Sequence, residues 1–257
     1  MELTELVVEN LDFKYSTKQI LYDVSVKFDK PELVCILGPN GVGKTTIAKT
    51  LNKLYIPSAG EVYIDGEKVS EMSRADIAKK IAYVPNSVTS AFSMTVLESI
   101  LLGRTPISGY NTSQADLDAV ENVINLLDLD ELCDRDINQL SAGQAQRVTI
   151  ARGLVQEPRV IILDEPTSNL DVRYQMEILK FLKDYAREKQ IIVIMVCHDL
   201  NITAAYADRV ILMYKGKIYA DGSVEDTLTE ENLKTVYNID TKVLQIDGKT
   251  HIVLNPL

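Results

Sequence analysis

The sequence contains only three cysteines and two histidines in 257 residues, and its acidic side chains outnumber the basic ones 37 to 27. Cys35, Cys133 and Cys197 have neither metal-type spacing nor the even count of a disulfide framework. Cys35 and Cys197 stand in apolar runs and read as small buried hydrophobes of a chain kept in a reducing compartment. Cys197 precedes His198, but adjacent strand residues face opposite sides, which argues against a Cys–His catalytic pair. The net charge of -10 lacks the basic excess that neutralises phosphate backbones, and so argues against nucleic acid as a partner. The start, MELTELVVEN, has no basic region ahead of a long apolar stretch, so no signal peptide is expected. The apolar run IIVIMVC at 191–197 is far too short to cross a bilayer. A soluble chain of one sizeable domain is the expectation.

Three apolar runs carry the main fold signal: VCIL (34–37), VIIL (160–163) and IIVIMV (191–196). Unbroken rather than alternating, they predict strands buried on both faces, as in a parallel sheet flanked by helices. Helical periodicity lies between them. Val172, Met176, Leu179, Leu182 and Ala186 predict one apolar face over 171–188, and Leu117, Val120, Ile124 and Leu127 another over 113–128, whose opening Ser113-Gln-Ala-Asp116 fits a helix-start signature. Segments 3–8, 20–28 and 61–65 alternate or are β-branched, which predicts an antiparallel layer beside the core. TKVLQI and THIVL flank Asp247-Gly248 and predict a hairpin near the end. The organisation expected is a single α/β domain. Residues 1–86 and 158–257 supply the β layer and a mostly parallel core, and 87–157 a mostly helical insertion.

GPNGVGKTT (38–46) follows the first apolar strand and precedes a helix, which is the context that the phosphate-loop pattern G-x-x-x-x-G-K-[ST] requires. Glycines let successive backbone N–H groups turn toward phosphate oxygens, and the helix adds its positive end. Gly38, Pro39, Asn40, Gly41, Val42, Gly43 and Thr46 would line the nucleotide. Lys44 reaches its outer phosphates, and Thr45 is placed to ligate Mg²⁺. VIILDE (160–165) ends the next strand in two carboxylates. Asp164 can hold Mg²⁺, directly or through water, and Glu165 can polarise a water for attack on the γ-phosphate; alone, the pair also fits an ordinary acidic strand end before Pro166. His198 closes the following strand and either meets the γ-phosphate and its attacking water or is structural. Asp171 reads most simply as the N-cap of the helix after it. Ser141-Ala-Gly-Gln144 matches a capping box, which explains Ser141 and Gln144 but not Gly143, a poor helix former in a first turn.

Taken in order, GPNGVGKT, LSAGQ (140–144), VIILDE, SNLD (168–171) and His198 resemble the motifs of ABC transporter ATP-binding subunits, over nearly the whole chain. The resemblance implies a P-loop NTPase core, ATP and Mg²⁺ as ligands, and a head-to-tail dimer of two copies. In that dimer Ser141, Ala142, Gly143 and Gln144 would cap the ATP on the partner's phosphate loop, and Asp171 would lie at the interface. It implies that Tyr15 stacks on adenine, where chemistry alone allows a packing role in the β layer. Two departures stand out: Ala142 replaces the first glycine of the family signature, and Asn86 in YVPNSV replaces the glutamine that links Mg²⁺ and the attacking water to the transmembrane partner. SMTVLESILLGRTP (93–106), HDLN (198–201) and the tail resemble the importers of iron–siderophores, haem and cobalamin. This subgroup implies separate permease subunits, a substrate-binding protein reached through them, and a place on the cytoplasmic face of the membrane. The stretch from Phe92 to Leu97 would form the permease groove, or else a bland apolar patch. The alternative reading is a non-transport ABC ATPase, such as a scaffold subunit of iron–sulfur cluster assembly.

Overall fold

The computed structural model describes residues 4–86, 93–109, 111–168 and 170–255. Two long strands, β1 (Leu6–Tyr15) and β2 (Lys18–Phe28), pair antiparallel from Leu6 opposite Phe28 to Tyr15 opposite Lys18. Alternation sorts their side chains: Leu21, Val24, Val26 and Phe28 are buried, while Tyr22, Ser25 and Lys27 are exposed. β3 (Leu33–Leu37) breaks the alternation and is buried at every residue. The glycine loop follows, then α1 (Lys44–Leu51), β4 (Ala59–Ile64), the short β5 (Glu67–Lys68), α2 (Arg74–Lys80) and β6 (Ile81–Val84). β4 pairs with β1 and β5 with β4, making a four-stranded antiparallel sheet in the order β2-β1-β4-β5.

The described residues beyond β6 form α3 (Val96–Leu101), α4 (Thr105–Ser108), α5 (Gln114–Leu126) and α6 (Ala142–Leu154). Strands and helices then alternate through β7 (Val160–Asp164), α7 (Val172–Lys189), β8 (Ile192–Val196), α8 (Leu200–Tyr206) and β9 (Arg209–Tyr214). β10 (Lys217–Gly222), α9 (Val224–Thr227), α10 (Glu230–Tyr237) and a hairpin of β11 (Thr241–Ile246) and β12 (Lys249–Leu254) complete the fold. The central sheet runs β10-β9-β3-β8-β7-β6 and is parallel except for β10.

Two cores account for the unbroken apolar runs. Val34, Ile36, Ile162 and Ile194 face the antiparallel layer and pack with Leu6, Leu11 and Phe28. Leu33, Cys35, Leu37, Leu163 and Met195 face the helices and pack with Val148, Ala151, Leu179 and Leu182. Each fully buried side chain of this kind contributes about 1.5–3 kcal/mol relative to exposure, so a strand apolar on both faces is held from both sides.

Two helical faces differ from the sequence periodicity. On α7, Val172 is 65% exposed and Met176 46%, while Ile178, Leu179, Leu182, Tyr185 and Ala186 are buried. The first turn of α7 meets α6 through Tyr174, not the core, so the buried face starts later and is rotated. On α5, Leu117 is half exposed, and Ala119, Val120, Val123 and Ile124 form the buried stripe. The helix starts follow the sequence closely. Ser113 and Asp116 make a reciprocal capping box on α5, and Asp171 accepts from the Tyr174 amide at 3.1 Å to cap α7. Asp247 (φ 51°) and Gly248 (φ 72°) form the tight turn expected between β11 and β12.

Candidate nucleotide site and signature loop

β3 delivers the chain into the loop 38–43, and α1 begins at Lys44. Two glycines there answer to identifiable constraints. Gly43 sits at φ 110°, and a Cβ on it would lie 2.6 Å from Leu21 Cδ2; Gly38 sits at φ 150°, with the Met213 carbonyl oxygen 2.5 Å from its Cβ position. Neither conformation nor space admits a side chain, so the loop can stay close to β2 and β9. Gly43 caps α1 without a side-chain bond, which leaves the first amides of the helix to an outside acceptor. Asn40 and Gly41 are exposed, while Val42, Lys44 and Thr46 are buried. Lys44 Nζ donates to the Gly38 carbonyl at 2.7 Å and the Pro39 carbonyl at 3.1 Å. Burial pushes its ammonium below the usual lysine range, against the pull of Glu165 and Asp164.

The parallel register of β6, β7 and β8 brings their C-terminal edges level, with Val84 beside Leu163 and Asp164 beside Val196. Asn86, Glu165 and His198 follow those edges and therefore converge. Asp164 accepts from the Thr45 hydroxyl at Oδ1 (2.8 Å) and from the Tyr83 hydroxyl at Oδ2 (2.9 Å). Glu165 turns into the left-handed region at φ 53°, and its amide donates to the Val196 carbonyl at 3.2 Å. Its carboxylate meets His198 Nε2 at Oε1 and the Asn86 amide nitrogen at Oε2, the latter at 3.3 Å. The Ser168 hydroxyl is 2.9 Å from Asn86 Oδ1 and 3.2 Å from the Glu165 carbonyl. Cys197 packs into the core while His198 turns out toward Glu165, the opposed facing expected of strand neighbours.

The donors at Asp164 fit a small divalent cation. Thr45 Oγ1 and Asp164 Oδ1 are 2.8 Å apart because the hydroxyl donates to the carboxylate, and a small cation on the Thr45 oxygen would meet Asp164 directly or through a water. Both are hard oxygen ligands. Among the described residues no group of three or more His, Cys, Asp or Glu is placed to hold a metal.

Tyr15 ends β1, 46% exposed, and is wedged edge-on against Phe13 (ring centroids 4.9 Å) and Tyr55 (5.7 Å). Burial and the Tyr55 hydroxyl push its phenol upward, while Thr46 pulls the other way. Tyr55 in turn lies beside the phosphate-loop helix, with Lys49 Nζ 5.3 Å from its ring centroid. Both chemical readings of Tyr15 survive: it packs in the β layer and keeps one side open. Tyr55 and Tyr83 were not singled out by sequence reasoning. Tyr55 lies in an unpatterned turn, and the only signal for Tyr83 was its place on the strand leading to Asn86.

The signature turn lies at the start of α6. Ser141 N–H donates to Gln144 Oε1 at 3.0 Å, and Gln144 N–H to Ser141 Oγ at 3.3 Å, so the capping box is complete. Ala142 is the first helical residue and is absent from the positive-φ positions, so its methyl is accommodated. The group that approaches Gly143 within this chain is the Tyr174 ring, which a Cβ at 143 would meet at 3.4–3.5 Å. That is ordinary contact, so packing alone leaves room for alanine. The Arg147 guanidinium lies 5.8 Å from the same ring centroid. Among the described residues, no hydrogen bond joins 141–144 to 38–46. Asn169 lies outside the described residues, as does Phe92 of the expected groove.

A strand–glycine loop–helix unit, an acidic strand end beside it and a capped second loop elsewhere define a P-loop nucleoside triphosphatase with a separate signature element. The family profile described as ABC transporter matches residues 21–168, and the chain belongs to that family. An uncharacterised ABC transporter ATP-binding protein of Methanocaldococcus jannaschii is 39% identical over 248 residues, covering 96% of this chain and 97% of the relative. The hemin import ATP-binding protein HmuV of Escherichia coli O157:H7 is 37% identical over 243 residues, covering 92% and 93%. Among solved structures, one described as a metal-chelate type ABC transporter in an inward-facing conformation aligns with TM-score 0.84 at 28% identity, covering 99% and 98% of the two chains. The chain is an ATP-binding subunit of this family and an ATPase. Among the described residues, no helix is long and apolar enough to cross a membrane.

Proposed function

We propose that this chain is the ATP-hydrolysing subunit of an importer for metal chelates of the haem, iron–siderophore or cobalamin class. It works as a head-to-tail dimer on the cytoplasmic face of the membrane, against permease subunits fed by a substrate-binding protein. The observation that carries the reading is a division of labour within the chain. Glu165, Asp164, Thr45 and Lys44 form one cluster, while the signature turn makes no bond to it. In this reading, as the family resemblance implies, Ser141 and Gly143 serve a nucleotide held by another copy, aided by the positive end of α6. The haem-import relative and the metal-chelate transporter support the substrate class. In this reading 87–157 is the subdomain that carries the signature, and 1–86 with 158–257 is the nucleotide-binding body.

ATP enters where Lys44 now bonds Gly38 and Pro39, and the ammonium exchanges those carbonyls for the β- and γ-phosphates. Gly38 through Thr46 supply amides and the helix end, and Tyr15 offers its open face to adenine. Thr45 and Asp164 would hold Mg²⁺, with Asn86 as a further candidate ligand; the cation would supply neutralisation of phosphate charge. Glu165 orients and polarises the attacking water, held in place by His198 and by Asn86 through its side-chain amide. Asp171 caps α7 and faces the partner. ATP favours the closed dimer because only that state adds the signature contacts, and hydrolysis removes them. A cavity of about 310 Å³ lined by Met94, Glu98, Leu101, Leu102 and Thr105 shares only Met94 with the stretch 92–97 read as the permease groove.

Glu165→Gln tests the composite site. Turnover should vanish while ATP and Mg²⁺ drive the variant into a stable dimer, read by size exclusion with light scattering. A variant that binds ATP yet stays monomeric would sink the head-to-tail reading. Copurification with a permease and a haem- or siderophore-binding protein tests the substrate class.

A further inference from the structure

Asp164 carries one hydrogen bond that none of the sequence motifs accounts for. Tyr83 stands on β6, opposite Ile162 of β7 in the parallel register. Its phenol crosses to the end of β7 and donates to Asp164 Oδ2 at 2.9 Å. Thr45, arriving from α1, takes Oδ1 at 2.8 Å. Asp164 is only 6% exposed, so an oxygen that loses its donor is poorly compensated by water. The two bonds have different fates when a cation binds. Oδ1 lies on the Thr45 side and is the oxygen a cation there would use, while Oδ2 can keep its phenol throughout.

We propose that Tyr83 is a positioning residue for the divalent cation: its hydroxyl pins Asp164 Oδ2, so that the carboxylate offers Oδ1 alone beside Thr45. The proposal rests on the reading of Thr45 and Asp164 as the cation side of the ATP site. A carboxylate held at one oxygen is restrained from swinging about its Cβ–Cγ bond and is less free to chelate with both oxygens. Mg²⁺ and similar small ions take single carboxylate oxygens at ~2.0–2.1 Å, whereas Ca²⁺ accepts bidentate carboxylates at ~2.3–2.6 Å. Tyr83 thereby favours the small cation. The ring itself packs against the core facing the antiparallel layer, and phenylalanine keeps that packing.

The test uses the full chain in excess over AMP-PNP, with Mn²⁺ read by electron paramagnetic resonance and Ca²⁺ by competition. Tyr83→Phe should raise the Mn²⁺ midpoint about tenfold, the low end of what losing an outer partner of a metal-holding side chain costs, because the carboxylate is no longer pre-oriented. The Ca²⁺ midpoint should move by less than about twofold, because bidentate binding becomes available. AMP-PNP binding in EDTA should be unchanged, and melting should fall by no more than about 12 °C, the scale of one lost bond to a buried charged group. Equal shifts for both ions, weaker binding in EDTA, or a larger fall in melting would overturn the proposal in favour of a structural role. Asp164→Asn separates the two levels of the argument. If it moves the Mn²⁺ midpoint and Tyr83→Phe does not, the positioning role fails and the site reading stands. If Asp164→Asn moves nothing, the site reading itself fails. In the Asp164→Asn background, Tyr83→Phe should add no further shift, and a second tenfold loss would show that Tyr83 acts independently of Asp164.

Discussion

Ser141→Asp separates the two jobs assigned to the signature turn. Ser141 Oγ accepts from the Gln144 amide at 3.3 Å, and the side chain is exposed, so the carboxylate of an aspartate reaches the same donor without desolvation. Aspartate ranks with serine as an N-cap, and a negative charge at the N-terminus of α6 adds about 0.3–1 kcal/mol through the helix dipole. For a chain of this size that is a rise of up to about 4 °C in melting temperature. In a closed dimer the same carboxylate would face the γ-phosphate on the partner. At about 4 Å and an effective dielectric of about 20, each unit of like charge costs about 4 kcal/mol, a factor on the order of 1,000. In the Glu165→Gln background, Ser141→Asp should therefore melt at or above the parent yet fail to dimerise with ATP. ATP affinity of the monomer should be unchanged. Ser141→Asn, an equal cap without the charge, should retain much of the dimerisation. Normal ATP-driven dimerisation by the aspartate variant would refute the composite site and leave the turn a cap only, and a fall in melting beyond about 4 °C would refute the capping account.

Three further outcomes follow from the same geometry. Gly143→Ala should melt within about 4 °C of the parent or above it, because its methyl gains helix propensity and meets the Tyr174 ring at contact distance. Gly143→Val should melt lower, since the larger side chain meets that ring. Tyr15→Ala should weaken ATP binding about tenfold, the scale of a lost aromatic stacking contact, with kcat at saturating ATP changed far less. Fluorescent-nucleotide titration beside steady-state phosphate release checks it. Asp116 is held well below the usual carboxylate range by Ser108, Ser113 and Arg104. A depressed folded value means its stabilisation is fully present above the unfolded value of about 3.9 and is lost as pH falls below it. Asp116→Asn should lower the melting temperature at neutral pH and flatten its fall in acid, read by circular dichroism from neutral pH down to about 3.

Much of this site is written locally in the chain. The phosphate loop, the caps at Ser113, Ser141 and Asp171, and the difference between alternating and unbroken strands depend on residues a few positions apart, and the structure has all of them. The faces of α5 and α7 were less legible. Periodicity names the apolar residues, but the neighbours decide which arc is covered, and at the first turn of α7 that neighbour is α6. Gly143 shows the same division. The sequence marks it as anomalous for a helix, and only the structure identifies Tyr174 as the group against it.

The amino-acid sequence by itself determined the chemistry available here: a glycine loop with Lys44 and Thr45, a strand ending in two carboxylates, and a capped turn that no local rule fully explains. Tertiary structure decided how those groups address one another. Tyr83 and Asn86 lie 81 and 79 residues from Asp164 and Glu165, and His198 lies 33 beyond Glu165. They meet because β6, β7 and β8 are neighbours in one parallel sheet whose C-terminal edges align. Strand order and register are properties of the packed sheet, and no stretch of sequence short enough to read by pattern contains them.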